Sequence, residues 1–226
     1  VPHGPLSLPA RLYLLAWDTS KPKVTGATHL HHLVRAGALT ELAQRGLLVD
    51  DDGIVTPVDP DSRTGDLVLD GLLELVTESR PRTWKAWVTL RARVTLDALC
   101  AQLAAEGYLR AEKRRVLGLF PSVDYTLDRL PVVDALRAEA RAVLEGPVPV
   151  AEVGDREAAL VALATAAELR TLASARERRL HRDRIDGLAE RGGAAAPALK
   201  KVIQEVRTAV VAATTTAATT AATTGS

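Results

Sequence analysis

Apolar residues recur at helical spacing along most of this 226-residue chain, and that periodicity constrains its fold more than any other feature. Leu8, Leu12, Leu15 and Ala16 share one face of a helix predicted over 6–17. Leu30, Leu33, Val34, Ala38, Leu39 and Leu42 form a second stripe, which Gly46 stops where a left-handed residue is wanted just past a helix end. Further helices are predicted over 66–77, 83–90, 95–106, 130–144, 155–172, 175–190 and 194–213, with Thr83 as a cap after Pro81. The segment 214–226 is an Ala/Thr tail without core-forming residues, set apart from a domain spanning 1–213. It is expected to fray from the last helix.

Two short β-hairpins interrupt the helices. Leu47-Leu48-Val49 and Ile54-Val55 flank an Asp-Gly turn. Tyr108-Leu109 and Val116 to Phe120 bracket the basic run Lys113-Arg114-Arg115. A weak internal repeat accompanies them: Glu41-Leu-Ala-Gln-Arg-Gly-Leu-Leu48 parallels Gln102-Leu-Ala-Ala-Glu-Gly-Tyr-Leu109, each a helix end feeding a hairpin. A winged helix begins the same way, which keeps DNA binding as an alternative. The fold class is therefore mainly α: one helical bundle with amphipathic helices around it and one or two short hairpins.

Catalytic patterns do not appear. The sequence has no Walker loop, no strand-linked G-x-G-x-x-G, no G-x-S-x-G elbow and no H-E-x-x-H helix. His29, His31 and His32 form a cluster, in which His29 and His32 share a helix face at spacing three that can hold a metal. With no Asp, Glu or Cys nearby to complete a ligand set, they read as imidazoles at a helix start. The single Cys100 lies in an apolar helix and reads as a small core residue. Asp50, Asp51, Asp52, Asp59, Asp61, Asp66 and Asp70 crowd one region without the alternation of a calcium loop. A non-enzymatic protein without metal or cofactor is expected. No apolar run reaches the length of a membrane span, and nothing at the N-terminus reads as a secretory signal.

A net charge of +1 excludes a uniform field that would drive the molecule onto nucleic acid. Locally the balance differs. Between Ser79 and Phe120 nine cations stand against three acids. A second basic stretch, 170–184, alternates with Glu177 and Asp183 and reads as a solvated face. The first stretch is different, because Lys113, Arg114 and Arg115 precede the apolar Leu117, Leu119 and Phe120. Cations near an anionic leaflet contribute about 1 kcal/mol each, and buried apolar side chains about 1.5–3 kcal/mol apiece as an upper bound. That sum supports reversible surface binding, although alternate residues of the strand could equally pack inward.

At these residues the chain resembles the Golgi phosphoprotein 3 (GPP34) family. The resemblance is carried in order by Leu12-Tyr-Leu-Leu-Ala, Arg35-Ala-Gly-Ala-Leu-Thr-Glu-Leu-Ala-Gln-Arg-Gly46 and Gly65-Asp-Leu-Val-Leu-Asp-Gly-Leu-Leu73. It continues through Trp87, Glu106-Gly-Tyr-Leu and Asp155-Arg-Glu-Ala-Ala-Leu-Val-Ala-Leu163. The Arg-rich, Ala-rich and Asn-free composition fits a GC-rich, actinomycete-like bacterial genome.

The resemblance implies a helical bundle with a protruding hairpin, here about Glu112 to Val123, that enters the bilayer surface. It implies a headgroup pocket for phosphatidylinositol 4-phosphate built from a Trp and three Arg. Arg35 and Arg93 stand at two of the arginine positions, Leu96 at the third and Gly26 at the Trp position, with Arg91 near enough to help. The expectation is a cytoplasmic protein, peripheral on the membrane face, that binds anionic, phosphoinositide-like headgroups. An oligomeric interaction scaffold is a further alternative, and nucleic acid is not the expected partner.

Overall fold

The computed structural model describes residues 5–21, 23–116, 120–195 and 199–223, with the side chains of 113–116, 120–122, 194, 195, 199 and 213–223 left aside. The chain is 61% helical, with ten helices and three two-stranded antiparallel sheets among the described residues. Two helices are buried on all sides and form the centre: α2 (Leu30–Gln44) and α7 (Asp155–Ala166). A helix apolar all round belongs in an interior, and both meet that requirement with small residues between the larger ones. In α2 an added side-chain carbon on Gly37 would meet the Pro9 backbone at 3.2 Å, so glycine is what lets α1 (Leu8–Leu15) cross so closely.

Around this centre pack α3 (Leu67–Glu78), α4 (Trp84–Thr89), α5 (Ala92–Ala105), α6 (Leu130–Glu145), α8 (Ala175–Leu180), α9 (Arg182–Ala195) and α10 (Leu199–Thr223). The small sheets are β1 (Trp17–Asp18) with β2 (Lys23–Val24), β3 (Leu48–Asp51) with β4 (Ile54–Pro57), and β5 (Leu109–Val116) with β6 (Phe120–Leu127). Trp17, Trp84 and Trp87 are all in the core.

The glycine-stopped repeat has one local cause. At Gly46 (φ 71°) and Gly107 (φ 76°) the chain turns left-handed just past a helix end. The two following amides then reach back, Gly46 to Ala43 and Leu47 to Leu42, Gly107 to Ala104 and Tyr108 to Leu103. This pairing satisfies the last helical carbonyls and launches β3 and β5 in the same manner. Asp52 (φ 47°) and Gly53 (φ 87°) make the two-residue turn between β3 and β4, as the Asp-Gly signal predicts.

The acidic crowd resolves into local structural roles. Asp66 accepts from the amides of Val68 and Leu69 at the start of α3, and Asp70 accepts from Thr64 and Gly65. Asp50 accepts from Trp84 Nε1 and from Lys201 Nζ at 2.6 Å, tying β3 to α4 and α10. Replacing Asp66 with alanine is expected to lower stability by about 1 kcal/mol. A urea unfolding curve checks it: an unchanged midpoint would show that the cap contributes nothing.

Three expectations need correction. The helix read over 175–190 is two helices meeting at His181, because α8 buries none of its residues whereas α9 turns to bury Ile185 and Leu188. The helix read to 172 ends at Ala166, with Glu168 in a left-handed conformation. The basic run 113–115 is not the turn of the second hairpin but lies within β5, paired with 121–123 of β6. The Ala/Thr segment is helical as far as Thr223 in α10.

Candidate functional site

The N-terminal turn of α2 adjoins the α4–α5 junction, and the basic residues singled out from the sequence gather there. Arg35 is fully buried, at 0% exposure. Its Nε donates to Thr95 Oγ1 at 2.8 Å, Nη1 to the Trp87 carbonyl at 3.3 Å and Nη2 to the Arg91 carbonyl at 3.0 Å. No carboxylate pairs with it among the described residues, so it is neither a surface cation nor a partner of Glu41, which binds Arg45 and Arg156 instead. Burial pushes the guanidinium down to about 10, so it stays charged at neutral pH. A cation held in the interior by neutral acceptors leaves its field uncancelled.

The last of these bonds reaches Arg91, which adopts a left-handed conformation (φ 50°) at the start of α5. The Arg91 side chain does not cap the helix, and the first turn of α5 contains no acid. The same holds for α2, where His29 is the uncapped N-terminal residue. Helix N-termini carry a partial positive charge, and both are left uncompensated by the local sequence. Arg91 and Arg93 are exposed, and neither guanidinium makes a hydrogen bond or ion pair with the described residues. The arrangement is an electropositive surface with two exposed guanidiniums beside a buried one.

His31 and His32 belong to this surface, a role the sequence reading missed. Their ring centroids lie 3.9 Å apart, and both line a groove of about 380 Å³ with Lys85 and Thr89 of α4 and Glu205 and Thr208 of α10. The readable signal was spacing: His31 and His32 precede Arg35 by four and three residues, which puts all three on one helical face. His29 Nε2 donates to the Ala167 carbonyl at 3.0 Å and His32 Nδ1 to that of Val88 at 3.3 Å. The two rings are thus committed to different elements. No group of three His, Cys, Asp or Glu able to hold a metal occurs among the described residues.

Gly26 lies in a left-handed turn against the His29 ring, and Leu96 is half-buried against the core. Cys100 is buried, and burial pushes its thiol up, away from reactivity.

The hairpin leaves the core at Leu109 and Leu127, both buried. Tyr125, opposite Ala111, sits beside Cys100 and Asp97 in the middle of α5, and burial followed by these two groups raises its phenol. The base of the hairpin therefore packs against α5 between its C-terminal end and its middle. Eight register pairs continue to Val116 opposite Phe120, a ladder of about 25 Å. Lys113, Arg114 and Arg115 stand on β5 opposite Val123, Ser122 and Pro121. Their side chains and that of Phe120, like residues Leu117 and Leu119 entirely, lie outside the described residues. No described helix is long and apolar enough to cross a membrane.

The family model described as Golgi phosphoprotein 3 (GPP34) matches residues 8–206. No curated protein matches the sequence.

Proposed function

The chain belongs to the Golgi phosphoprotein 3 (GPP34) family, and we propose that it is a non-enzymatic peripheral membrane protein that binds anionic, phosphoinositide-like phospholipid headgroups. The observation that carries this reading is the convergence of two acid-free, uncapped helix starts with Arg35, Arg91 and Arg93. A phosphate suits such a place, because backbone amides, the helix dipoles and guanidinium forks all favour it. Arg91 and Arg93 are the direct ligands. Arg35 works from below, fixing the turn that presents Arg91 and contributing its charge. The β5–β6 hairpin is the second membrane contact, because its sequence combines cations that suit lipid phosphate (Lys113, Arg114 and Arg115) with apolar residues that suit hydrocarbon (Leu117, Leu119 and Phe120). Absence of a Trp at Gly26 and of an Arg at Leu96 makes the site less selective among anionic headgroups.

Vesicle co-sedimentation tests this. The full chain is expected to pellet with phosphatidylcholine vesicles that carry phosphatidylinositol 4-phosphate or phosphatidylglycerol, and to stay in solution with phosphatidylcholine alone. Reversing two cations near the surface removes about 4 kcal/mol of attraction, so R91E/R93E should abolish pelleting while its unfolding midpoint stays put. Equal pelleting with neutral vesicles, or undiminished binding by R91E/R93E, would sink the reading.

A further inference from the structure

We infer that His31 and His32 are phosphate-facing members of this site and that they make its hold on an anionic headgroup tighten as the pH falls. The inference rests on the reading above of the α2–α5 surface and adds its regulation.

The geometry places two imidazoles in contact at one end of a groove beside the cations. Their rings are tilted by 43°, and His31 Nδ1 is buried with no hydrogen-bond partner. The Val88 carbonyl can only accept, so it fixes the proton of neutral His32 on Nδ1 and leaves Nε2 bare. Each ring therefore keeps one nitrogen that becomes a donor only on protonation or by a change of tautomer.

The charged groups around the pair are mostly cations. They are Arg35 on α2, Arg93 on α5 and Lys85 on α4, with the His29 ring just before α2. Among the described residues the carboxylate lining the groove is Glu205 of α10, which is paired with Lys85 at 4.0 Å. Burial, then His32, Arg93 and His29, push His31 down to about 4, and burial also lowers His32 against the opposing pull of the Val88 carbonyl. Both rings are consequently neutral near pH 7 in the free protein.

A phosphate reverses the local field. In its presence the imidazolium gains a partner, so the ligand-bound state takes up a proton that the free state does not hold. The sign follows from linkage: where the bound protein holds more protons, affinity rises as pH falls. The slope reaches about tenfold per pH unit for each proton taken up, between the bound and free pKa values. Because the free His31 titrates so low, that window extends well below neutrality. Two touching rings resist double protonation, so one proton shared by the pair is the expected uptake.

The probe is a phosphatidylcholine vesicle carrying phosphatidylglycerol, a phosphodiester whose own charge stays constant over the range. For the full wild-type chain, affinity is expected to rise about tenfold from about pH 7.5 to about 5.5, and in H31Q/H32Q the ratio should fall below about twofold. An equal slope in that variant, or none in the wild type, overturns the inference. A flat wild type whose binding is still lost in R91E/R93E overturns only the histidine role, whereas no binding at either pH overturns the site itself.

Proton NMR of the wild-type chain is independent of any variant. The lowest-titrating imidazole should move up by about two to three pH units on addition of inorganic phosphate, the rise that a tenfold change over this range requires. No movement on saturation overturns the inference. Movement with phosphate but no vesicle slope overturns the lipid as the source and assigns a soluble phosphate.

Discussion

Replacing Arg35 with alanine is expected to destabilise the protein by about 3–5 kcal/mol, a fall of about 10 °C in Tm for a chain of this size. Two losses act together. The side chain is fully buried, so truncation leaves a cavity at the meeting of α2, α4 and α5, which for a residue this long costs about 2–5 kcal/mol. It also removes the donor from the Thr95 hydroxyl and the Trp87 and Arg91 carbonyls, of which Arg91 keeps only the Val94 amide. Relief of a desolvated charge without a carboxylate partner offsets part of this. Arg35→Met separates the terms, since it restores most of the volume without the donors and should cost clearly less than alanine. Arg35→Lys keeps a charge, but one ammonium cannot span a hydroxyl and two carbonyls as a planar fork does. Thermal unfolding of the three variants checks the order. A loss below about 1 kcal/mol for alanine would show that Arg35 does not hold the α4–α5 junction.

Arg35 also marks the limit of what the sequence could reveal. Features set by a few adjacent residues were readable: the glycine stop at 46, that at 107, the Asp52-Gly53 turn, and the cap at Thr83. Each follows from hydrogen bonds within about six residues, so no tertiary knowledge is needed. Arg35 lies off the Leu30–Leu42 stripe, and an amphipathic reading sets it on the surface beside Glu41. In the fold α2 has no surface face, because α1, α5, α7 and α10 enclose it. The signal was present in Ala36, Gly37, Ala38, Thr40 and Ala43, small residues that let helices approach from the side a stripe leaves open.

The same reasoning explains the site. Arg93 and Arg91 were readable as candidates, but His31 and His32 were weighed only as metal ligands, since the neighbour that gives them meaning lies some sixty residues away on α5. The break at His181 was hidden for a related reason. Helical propensity runs through 175–190 without interruption, and only the direction in which Ile185 and Leu188 find α7 divides it.

Glu41 presents the converse of Arg35, a buried anion surrounded by donors, and its replacement by alanine should cost a similar 3–5 kcal/mol or so. The carboxylate is 3% exposed. It accepts from Arg45 Nη2 at 2.6 Å, from Arg156 Nη2 at 3.3 Å and from the backbone amide of Leu8. The last bond makes Glu41 the cap of α1 from another helix, since Ser7 makes no side-chain capping bond of its own. An anion there also meets the positive end of α1. Three elements therefore converge on one side chain: α1 through Leu8, α2 through Arg45 and α7 through Arg156.

Glu41→Gln is the informative partner of Glu41→Ala. The amide oxygen can still accept from Leu8, but it offers no charge to the two arginines, and its NH₂ group faces them as a second donor. A loss of about 1–3 kcal/mol is expected for glutamine. If glutamine and alanine cost the same in urea unfolding, the charge is the whole contribution and the cap of α1 is worth nothing. If glutamine is neutral, the arginines are held by solvent and not by Glu41. A double-mutant cycle with Arg156→Ala then apportions the remainder. Coupling is expected because removal of Glu41 leaves Arg156, which also donates to the Leu6 carbonyl, without its buried counter-charge.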